Sequence, residues 1–556
     1  MLHKIRNMLM RGTESRYSAR DITTWLYAVL KGNRLQVALN SSIGIASVGL
    51  SLMQVWAIKR AIDVASGGCE GSIYRAVAVM GLLILLGFAC NISSVWVRNI
   101  LGIRAQNRMQ QRMVERVLKS QWHSRERRHS GDVLNRLEFD VQTVVEFITE
   151  TLPSTLSTVM MFVGAFAYMF AMDSMLAVIL VAIIPVFLLV SRVYIGQMRR
   201  LTREVRSSDS RVQATMQETI QHRMVVKTLE AVGGMVERME RSQAELRRNV
   251  VRRTRFSVFS NFMLNFGFAL GYLVAFLWAA VRMSAGTLSF GGMTAFLQLV
   301  NKIQSPARSL TKLAPEFVAV FTAAERLMEL EDEPMEEQGE PISMDAPLGL
   351  RLEGIAFRYE DGTHDVLTDL SFDFRPGTCT AIVGETGAGK TTLVRLLLSL
   401  MQPQRGRIVI YNDHEEHELN ARMRCNFVYV PQGNTLLSGT VRDNLLLGNP
   451  AATEADMRNA LAMSCAEFVL SLPDGLDTHC SERGGGFSEG QAQRIAIARA
   501  LLRDRQIMVF DEATSALDSD TECRLLHNLL KDNHRTVIFI THRPAVLKYC
   551  SQELAL

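Results

Sequence analysis

The sequence predicts a two-domain membrane protein in which an all-α domain is followed by an α/β domain. Three observations lead to this prediction. Long apolar runs without charge fill much of the first 300 residues, and two long arginine-rich segments separate some of them. The second half instead alternates short apolar strands with helices. Hydrophobic residues make up 48% of the 556 residues, and the mean hydropathy is +0.10, both high for a soluble enzyme.

Residues 1–35 are predicted to form a cytosolic segment that contains an interfacial helix. Within residues 18–33, one face is apolar at helical spacing and is bordered by Arg20, Lys31 and Arg34. The apolar face consists of Ile22, Trp25, Leu26, Val29 and Leu30. An ordinary amphipathic helix of a soluble domain is the alternative interpretation.

Six apolar runs predict six membrane-spanning helices, because most are long enough to cross ~30 Å of hydrocarbon. They are Val37–Ile58, Ala76–Val97, Thr151–Met172, Met175–Ser191, Phe256–Val281 and Gly286–Asn301. The last run is short and contains Gln298, so its boundaries are the least defined.

The connections between these runs predict the orientation of the chain. Two of them, Arg98–Glu150 and Arg192–Arg255, are long and rich in arginine. Lys and Arg mark the cytoplasmic side of a membrane, so both termini and the second half are expected in the cytoplasm of a multi-pass cell-membrane protein. The long connections are periodic and rich in helix formers, so they should continue the spans as helices outside the bilayer.

An acidic, proline-containing stretch separates the two halves. It includes Glu329–Glu340 and Pro341 and is typical of a linker. The predicted domains are therefore the segment 1–35, a transmembrane domain 36–328, a linker 329–349 and an α/β domain 350–556.

Residues 379–393 run from an apolar strand through a glycine-rich loop into a helix. Gly384, Gly387 and Gly389 allow successive backbone N–H groups to point inward, and Lys390 and Thr391 open the helix at its positive end. This pattern predicts a phosphate cradle with a nucleoside triphosphate as ligand, which makes the second half an α/β P-loop nucleotide-binding domain. An ordinary glycine-rich turn is the alternative interpretation, but it does not require the apolar strand before the loop or the helix after it.

A second stretch supplies carboxylates. Residues 507–512 form an apolar strand that ends in Asp511 and Glu512. Asp511 is suited to hold Mg²⁺, and Glu512 to orient or deprotonate water.

Upstream of this strand, residues Phe487-Ser488-Glu489-Gly490-Gln491 resemble the signature loop, Leu-Ser-Gly-Gly-Gln, of the ATP-binding cassette (ABC) superfamily. Further positions fit the same family: Tyr359 the aromatic residue that stacks on adenine, Gln432 the Q-loop, Ser515–Asp518 the D-loop and His542 the switch histidine. The resemblance extends to the first half. Residues 130–137 with Asp140 look like the first intracellular loop of ABC exporters, and Glu230–Glu240 occupies the place of the second.

The resemblance implies a role for each matching residue, with ATP and Mg²⁺ as cofactors. Glu512 would be the catalytic base, assisted by Gln432 and by His542 at the γ-phosphate, and Thr391, Gln432 and Asp511 would hold Mg²⁺. The residues expected to bind nucleotide are Tyr359, Gly384, Glu385, Thr386, Gly387, Ala388, Gly389, Lys390, Thr391, Thr392, Ser488, Gly490, Gln491 and Asp518. Ser488 and Gly490 would contact the ATP that a partner subunit binds.

The family closes two nucleotide-binding domains head to tail, and this chain contains a single one. The chain should therefore be an exporter-type half-transporter that dimerises. A homodimer is favoured over a heterodimer because the catalytic residues and a usable signature all occur in one chain. The expected function is ATP-driven export, by alternating access, of an amphipathic substrate that is lipid, peptide or drug-like, with no nucleic acid involved. An ATP-gated channel, a regulatory membrane module and an importer on the exporter fold are the alternatives.

Polar and basic residues in the spans bear on the substrate. Asn40, Ser41, Ser47, Ser51 and Gln54 make the first span polar, which favours either a substrate site or close packing between helices. Near the outer ends of the spans, Lys59, Arg60 and Arg282 outnumber Asp63, which favours anionic or zwitterionic amphiphiles. The chain departs from the family pattern at Glu489, which replaces a glycine. We expect this change to be tolerated if the carboxylate turns away from the nucleotide.

Overall fold

The computed structural model describes residues 17–122, 130–345, 347–359, 364–385, 387–481, 486–531 and 534–556. Thr386, one of the predicted nucleotide-binding residues, lies outside them. The chain divides into two compact units, Met1–Val114 with Leu134–Leu330 and Glu115–Val133 with Glu331–Leu556.

The first unit is helical. Helix α1 (Ala19–Gly32) matches the predicted amphipathic helix, and Ser18 and Asp21 cap its start reciprocally, side chain to backbone. The helices that follow are α2 (Arg34–Ala65), α3 (Ile73–Lys119), α4 (Ser130–Asn135), α5 (Val141–Glu146), α6 (Leu152–Met172), α7 (Ser174–Gln221), α8 (Arg223–Thr228), α9 (Val232–Ser284) and α10 (Phe290–Glu331). Two π-helical turns, Arg136–Asp140 and Phe147–Thr151, join α4, α5 and α6 into one continuous helix.

Each of the six predicted spans coincides with a long helix of this unit. Four helices in the described part are long and apolar enough to cross a membrane: Arg34–Ala65, Ile73–Lys119, Gly131–Met172 and Val232–Ser284. The remaining two predicted spans fall on α7 and α10.

Most of the described residues of the two arginine-rich connections are helical, as predicted. Helices α7 and α9 extend far beyond their apolar parts and lie side by side there. Arg211 pairs with Glu245 at 2.6 Å, and Asn249 donates to the Ser208 hydroxyl at 2.7 Å. These polar pairs join the two extensions, and the ion pair contributes little because it is exposed to water.

The second unit is α/β. Its strands are β1 (Gly349–Phe357), β2 (Leu367–Phe374), β3 (Cys379–Val383), β4 (Arg405–Tyr411), β5 (Glu416–Glu418), β6 (Phe427–Val430), β7 (Gly439–Thr440), β8 (His479–Cys480), β9 (Ile507–Asp511), β10 (Thr536–Ile540) and β11 (Gln552–Ala555). Its helices are α11 (Lys390–Leu397), α12 (Val441–Leu446), α13 (Glu454–Met463), α14 (Glu489–Arg503), α15 (Ser519–Leu530) and α16 (Pro544–Leu547), with short 3₁₀ turns at Ala421–Asn426, Glu467–Ser471 and Gly475–Asp477.

The strand order positions the site. A parallel sheet has the order β11-β3-β10-β9-β6, beside an antiparallel sheet β2-β1-β4-β5. In the parallel sheet, Ile540 is level with both Ile382 and Asp511, and Val430 is level with Phe510. Strands β3, β9, β10 and β6 therefore end at one edge, where the P-loop, the carboxylates, His542 and Gln432 follow them. Ligands bind at this edge of α/β sheets.

Residues 115–133 group with the second unit, whereas the sequence predicted that the transmembrane domain extends over 36–328. Backbone hydrogen bonds account for the grouping. Gln121 donates to the Pro334 carbonyl at 2.9 Å, and Glu336 donates to the Lys119 carbonyl at 3.0 Å. Trp122 packs against the apolar core that β1 and α11 build.

Candidate nucleotide-binding and hydrolysis site

The P-loop has the conformation that the glycine pattern predicts. Gly387 and Gly389 have φ angles of +93° and +97°, a region that residues with a side chain rarely adopt. A Cβ on Gly389 would also lie 3.0 Å from the Val366 and Leu367 side chains. The loop can therefore curl directly into α11, whose first N–H groups point toward the loop.

Lys390 and His542 meet at this loop. The Lys390 ammonium donates to the Gly384 carbonyl at 2.5 Å and to the Glu385 carbonyl at 3.2 Å. It also lies 2.8 Å from Nε2 of His542, which follows β10. A phosphate that binds here would replace the two carbonyl partners of the ammonium group.

Gln432 and Glu512 come together from neighbouring strands. The Gln432 amide donates to the Glu512 carboxylate at 2.6 Å. Glu512 has a φ angle of +48°, an uncommon value for a residue with a side chain, and its N–H is bonded to the Ile540 carbonyl at 3.0 Å. Strain of this kind collects at functional sites.

Asp511 is buried and has a partner that the sequence motifs did not reveal. The Tyr429 hydroxyl on β6 donates to the Asp511 carboxylate at 3.1 Å. Burial raises the pKa of Asp511, and burial together with the Asp511 charge raises the pKa of Tyr429. The position of Tyr429, three residues before Gln432 on an apolar strand, was the only signal in the sequence. The Tyr429 hydroxyl therefore helps to orient the Asp511 carboxylate.

We expect Asp511→Asn to stabilise the nucleotide-free protein although it removes a predicted metal ligand. Because burial raises the pKa of Asp511, ionising this group costs folding free energy at neutral pH. This cost disappears as the pH falls below the pKa of the unfolded chain. The midpoint of thermal unfolding at pH 7.5 should rise by about 2 °C, and the rise should shrink as the buffer is acidified toward pH 4. A midpoint that falls at pH 7.5 would show that the ionised carboxylate is favourable here.

Tyr359, the predicted adenine-stacking residue, is half-buried beside the P-loop helix. Its hydroxyl lies 3.0 Å from the Thr392 hydroxyl and accepts from Arg395 at 3.1 Å. Its ring meets the Phe357 ring edge-on, with centroids 5.2 Å apart. These contacts hold the ring in place at the end of β1.

The signature residues form the start of α14. Ser488 caps the helix, with its hydroxyl accepting from the Gln491 N–H at 3.3 Å, and the Gln491 side chain accepts from the Ser488 N–H at 2.9 Å. Glu489 is the first residue of the helix and is exposed. Its carboxylate therefore sits in water at the positive end of the helix, where a negative charge is favourable.

We expect Glu489→Gly to change the ATPase rate by less than about threefold, which is under ~0.7 kcal/mol of barrier. The exposed side chain makes no hydrogen bond or ion pair with the described residues, so its removal should leave the helix start in place. The check is steady-state phosphate release at saturating ATP. A tenfold gain would mean that Glu489 restrains the site.

Gly490 lies against the D-loop of its own chain. A Cβ at Gly490 would come within 2.6 Å of the Ala516 carbonyl oxygen. The buried Gln493 side chain accepts from the Ala516 N–H at 3.4 Å, and Arg543 donates to the Leu517 carbonyl at 2.9 Å. Asp518 caps α15 by accepting from the Thr521 N–H at 2.9 Å. The signature helix, the D-loop and the residue after His542 are thus packed as one block.

The structure therefore brings together Lys390 with His542 and Gln432 with Glu512, and places Asp511 beside Glu512. In the part of the chain that the structure describes, no hydrogen bond or ion pair joins Ser488, Gly490 or Gln491 to those residues. The signature residues bond to their own helix and to the D-loop.

Comparison with known proteins agrees with this geometry. Residues 41–306 match the family model described as the ABC transporter transmembrane region, and residues 367–515 match the model described as ABC transporter. The chain belongs to the ABC transporter family. Because both models match one chain, it is a half-transporter of the exporter type, with a helical transmembrane domain followed by a nucleotide-binding domain.

Two relatives illustrate the similarity. An ATP-dependent lipid A-core flippase of Bordetella avium (strain 197N) is 29% identical over 495 residues, which are 86% of this chain and 82% of the flippase. The ABC multidrug transporter mdr2 of Aspergillus fumigatus is 30% identical over 481 residues, 85% of this chain and 60% of that protein.

The fold is similar to a solved structure. A bacterial Atm1-family ABC exporter with ATP bound superposes with a TM-score of 0.73 at 24% identity, and the match covers 95% of this chain and 94% of that one. The transporter binds ATP and is an ATPase that drives export across a membrane.

Proposed function

We propose that two copies of this half-transporter assemble and hydrolyse Mg-ATP at two equivalent sites to export an amphipathic substrate. The bond between Gln432 and Glu512, beside Asp511, carries the proposal. It supports the proposal because one chain contains both the carboxylate that would act as the base and an amide that holds it. In a heterodimer with one inactive site, this chain would not need to contain every catalytic residue.

In this mechanism the chain acts mainly by placement and charge. Lys390 and the N–H groups at the start of α11 bind the phosphates. Glu512 accepts a proton from the attacking water, while Gln432 holds the carboxylate in position. His542, at 2.8 Å from Lys390, is within reach of the same phosphate. The signature residues Ser488 and Gly490 of one copy close on the ATP of the other.

The residues present also fit a magnesium ion. Thr391, Gln432 and Asp511 would hold it, and Mg²⁺ favours such a site because it keeps water and phosphate as its other ligands. The raised pKa of Asp511 reflects a buried carboxylate that a cation would compensate. When bound, the ion would offset the charge that develops on the transferred phosphoryl group.

The orientation and the substrate complete the proposal. The arginine content of the helical extensions favours a cytoplasmic position for both termini and the nucleotide-binding domain of a cell-membrane protein. The relatives are named for a lipid flippase and a multidrug transporter, and a lipid-like or drug-like amphiphile would be compatible with both names.

The test is reconstitution of the full chain in liposomes. We expect native mass spectrometry to give the mass of two chains, and ATP hydrolysis to require Mg²⁺ and to rise when an amphiphile is added. Only protein whose nucleotide-binding domains face outward is reached by external ATP, so accumulation inside the vesicles would report export. Hydrolysis without accumulation of any amphiphile tested would count against transport, and a monomer with full ATPase activity would exclude the dimer.

A further inference from the structure

We propose that a polar cavity among the membrane helices binds the anionic headgroup of an amphiphile through Lys302. This inference rests on the proposed function, because it names the chemistry of the exported substrate. The cavity lies between α2, α3, α6 and α10 and has a volume of about 570 Å³, a size typical of small-molecule sites. The polar first span supplies part of its lining, whereas the sequence did not single out Lys302.

The lining is unusual for a membrane domain. Fourteen of the 21 residues that line the cavity have polar or charged side chains. Polar groups in membrane helices are costly, so their concentration around one cavity favours a polar ligand over an apolar drug. Some of them serve packing: Asn40 donates to the Thr149 carbonyl at 2.8 Å and accepts from Ser94 at 3.1 Å. Both interpretations of the polar first span therefore apply, to different residues.

Among the described residues of the lining, one cation is in excess. Three of these residues are charged: Arg98 from α3, Glu150 from the π-helical turn before α6, and Lys302 from α10. Arg98 and Glu150 form an ion pair at 2.7 Å. Lys302 is half-buried and has no ion pair with any described residue. Its ammonium donates to the Ser51 hydroxyl.

The Lys302 ammonium can therefore donate further hydrogen bonds. An ammonium group carries three N–H bonds, and Ser51 accepts only one of them. Ser47, Asn91 and Asn301, which also line the cavity, make no side-chain hydrogen bond to the described residues. A half-buried cation is stabilised by an opposite charge, and a phosphate or carboxylate would accept from Lys302 and from these side chains together.

The outer basic residues named by the sequence have other partners. Arg282 lies 3.3 Å from Asp173, and Arg60 lies over the Trp56 ring. We therefore assign the preference for an anionic ligand to the cavity between α2, α3, α6 and α10 and not to the outer ends of the spans. With the orientation proposed above, the cavity is in the cytoplasmic half of the spans, where a substrate from the cytoplasm or inner leaflet would enter.

Equilibrium binding without nucleotide tests the proposal. The probe is radiolabelled dodecyl phosphate, added to the full-length protein in nanodiscs of zwitterionic lipid, with empty nanodiscs as background. Lys302→Gln should weaken binding at least about tenfold, since it removes a charge pair from a partly buried site. Lys302→Arg should stay within about threefold of wild type, because it keeps the charge. Lys59→Gln, which makes the same change at a lysine outside the cavity lining, should change binding by less than about twofold.

Competitors separate the possible ligands. Dodecyltrimethylammonium, which has the same chain and the opposite charge, should compete poorly, as should inorganic phosphate. Effective competition by inorganic phosphate would show that the cavity binds a free anion and would overturn the proposal that its ligand is an amphiphile. Unchanged binding by Lys302→Gln, or equal competition by the cationic probe, would overturn the site itself.

The readout does not depend on ATP hydrolysis. Should the proposed transport function fail, dodecyl phosphate binding would still report on the cavity. Thermal unfolding monitors folding of each variant, and Lys302→Met provides a second neutral replacement if Lys302→Gln is unstable. Both neutral variants should lose binding together.

Discussion

Replacing Glu512 with Gln is expected to lower ATP turnover by at least ~100-fold, the upper part of the range for a general acid–base group, while ATP binding persists. Gln keeps the shape of the side chain and can still accept from Gln432, whose amide lies 2.6 Å from the Glu512 carboxylate. The left-handed backbone at φ +48° strains Gln about as much as Glu, so the loop should not move. Only the proton acceptor is lost.

Turnover would be measured as phosphate release by the reconstituted protein, and binding with a fluorescent ATP analogue. The matched control is Glu454→Gln, which makes the same chemical change on the exposed surface of α13, where Glu454 pairs with Arg458 at 2.7 Å. Its rate should stay within about twofold of wild type, since exposed pairs of this kind contribute little. If Glu512→Gln retains a tenth or more of the wild-type rate, another group is the base.

The second large effect is expected at Gly490, where replacement by Asp should abolish turnover. A Cβ at this position would come within 2.6 Å of the Ala516 carbonyl oxygen, a distance that real Cβ atoms do not tolerate. Either the start of α14 or the D-loop must shift. Both belong to the block that Gln493 and Arg543 hold together, so the shift would displace Ser488 and Asp518 as well. In the proposed dimer, where Gly490 would close on the ATP of the other copy, a carboxylate would also repel the phosphates.

Glu489→Gly is the control for this experiment. It removes the side chain of the adjacent residue, whereas Gly490→Asp adds one, and it should hardly change the ATPase rate. Gly490→Ala separates the two causes, since it introduces the Cβ without the charge. We expect Gly490→Ala to lose most of the activity too, because the steric clash is already complete. Thermal unfolding would show whether the fold survives, with overpacking expected to cost about 1–3 kcal/mol. Wild-type rates for Gly490→Ala would contradict the clash.

Much of the site could be predicted because its residues follow strands at fixed motif spacings. The P-loop, Gln432, the carboxylates Asp511 and Glu512, and His542 all come directly after parallel strands, whose carboxyl ends meet at one edge. Apolar runs and arginine-rich connections likewise predicted the helical first unit. These features depend on local composition and periodicity, which the sequence displays directly.

Other residues could not be predicted because their roles depend on side chains that are distant in the sequence. Tyr429 reads as an ordinary strand residue until β6 pairs with β9 and brings its hydroxyl to Asp511. The signature motif named Gly490, but only the fold shows that Ala516 is the residue that leaves no room for a Cβ there, because a chain reversal brings it against Gly490. The grouping of residues 115–133 with the second unit depends on hydrogen bonds to residues more than 200 positions later.

The sequence by itself determined the family and the order of the two domains and predicted the candidate catalytic residues, because each is encoded in short stretches whose chemistry requires particular residues. Only the tertiary structure decided which charges are compensated. Arg98 lies 2.7 Å from Glu150 and Arg282 lies 3.3 Å from Asp173, while the Lys302 ammonium contacts only a serine hydroxyl among the described residues. Compensation of a charge depends on what is within a few ångströms of it, and helix packing sets those distances.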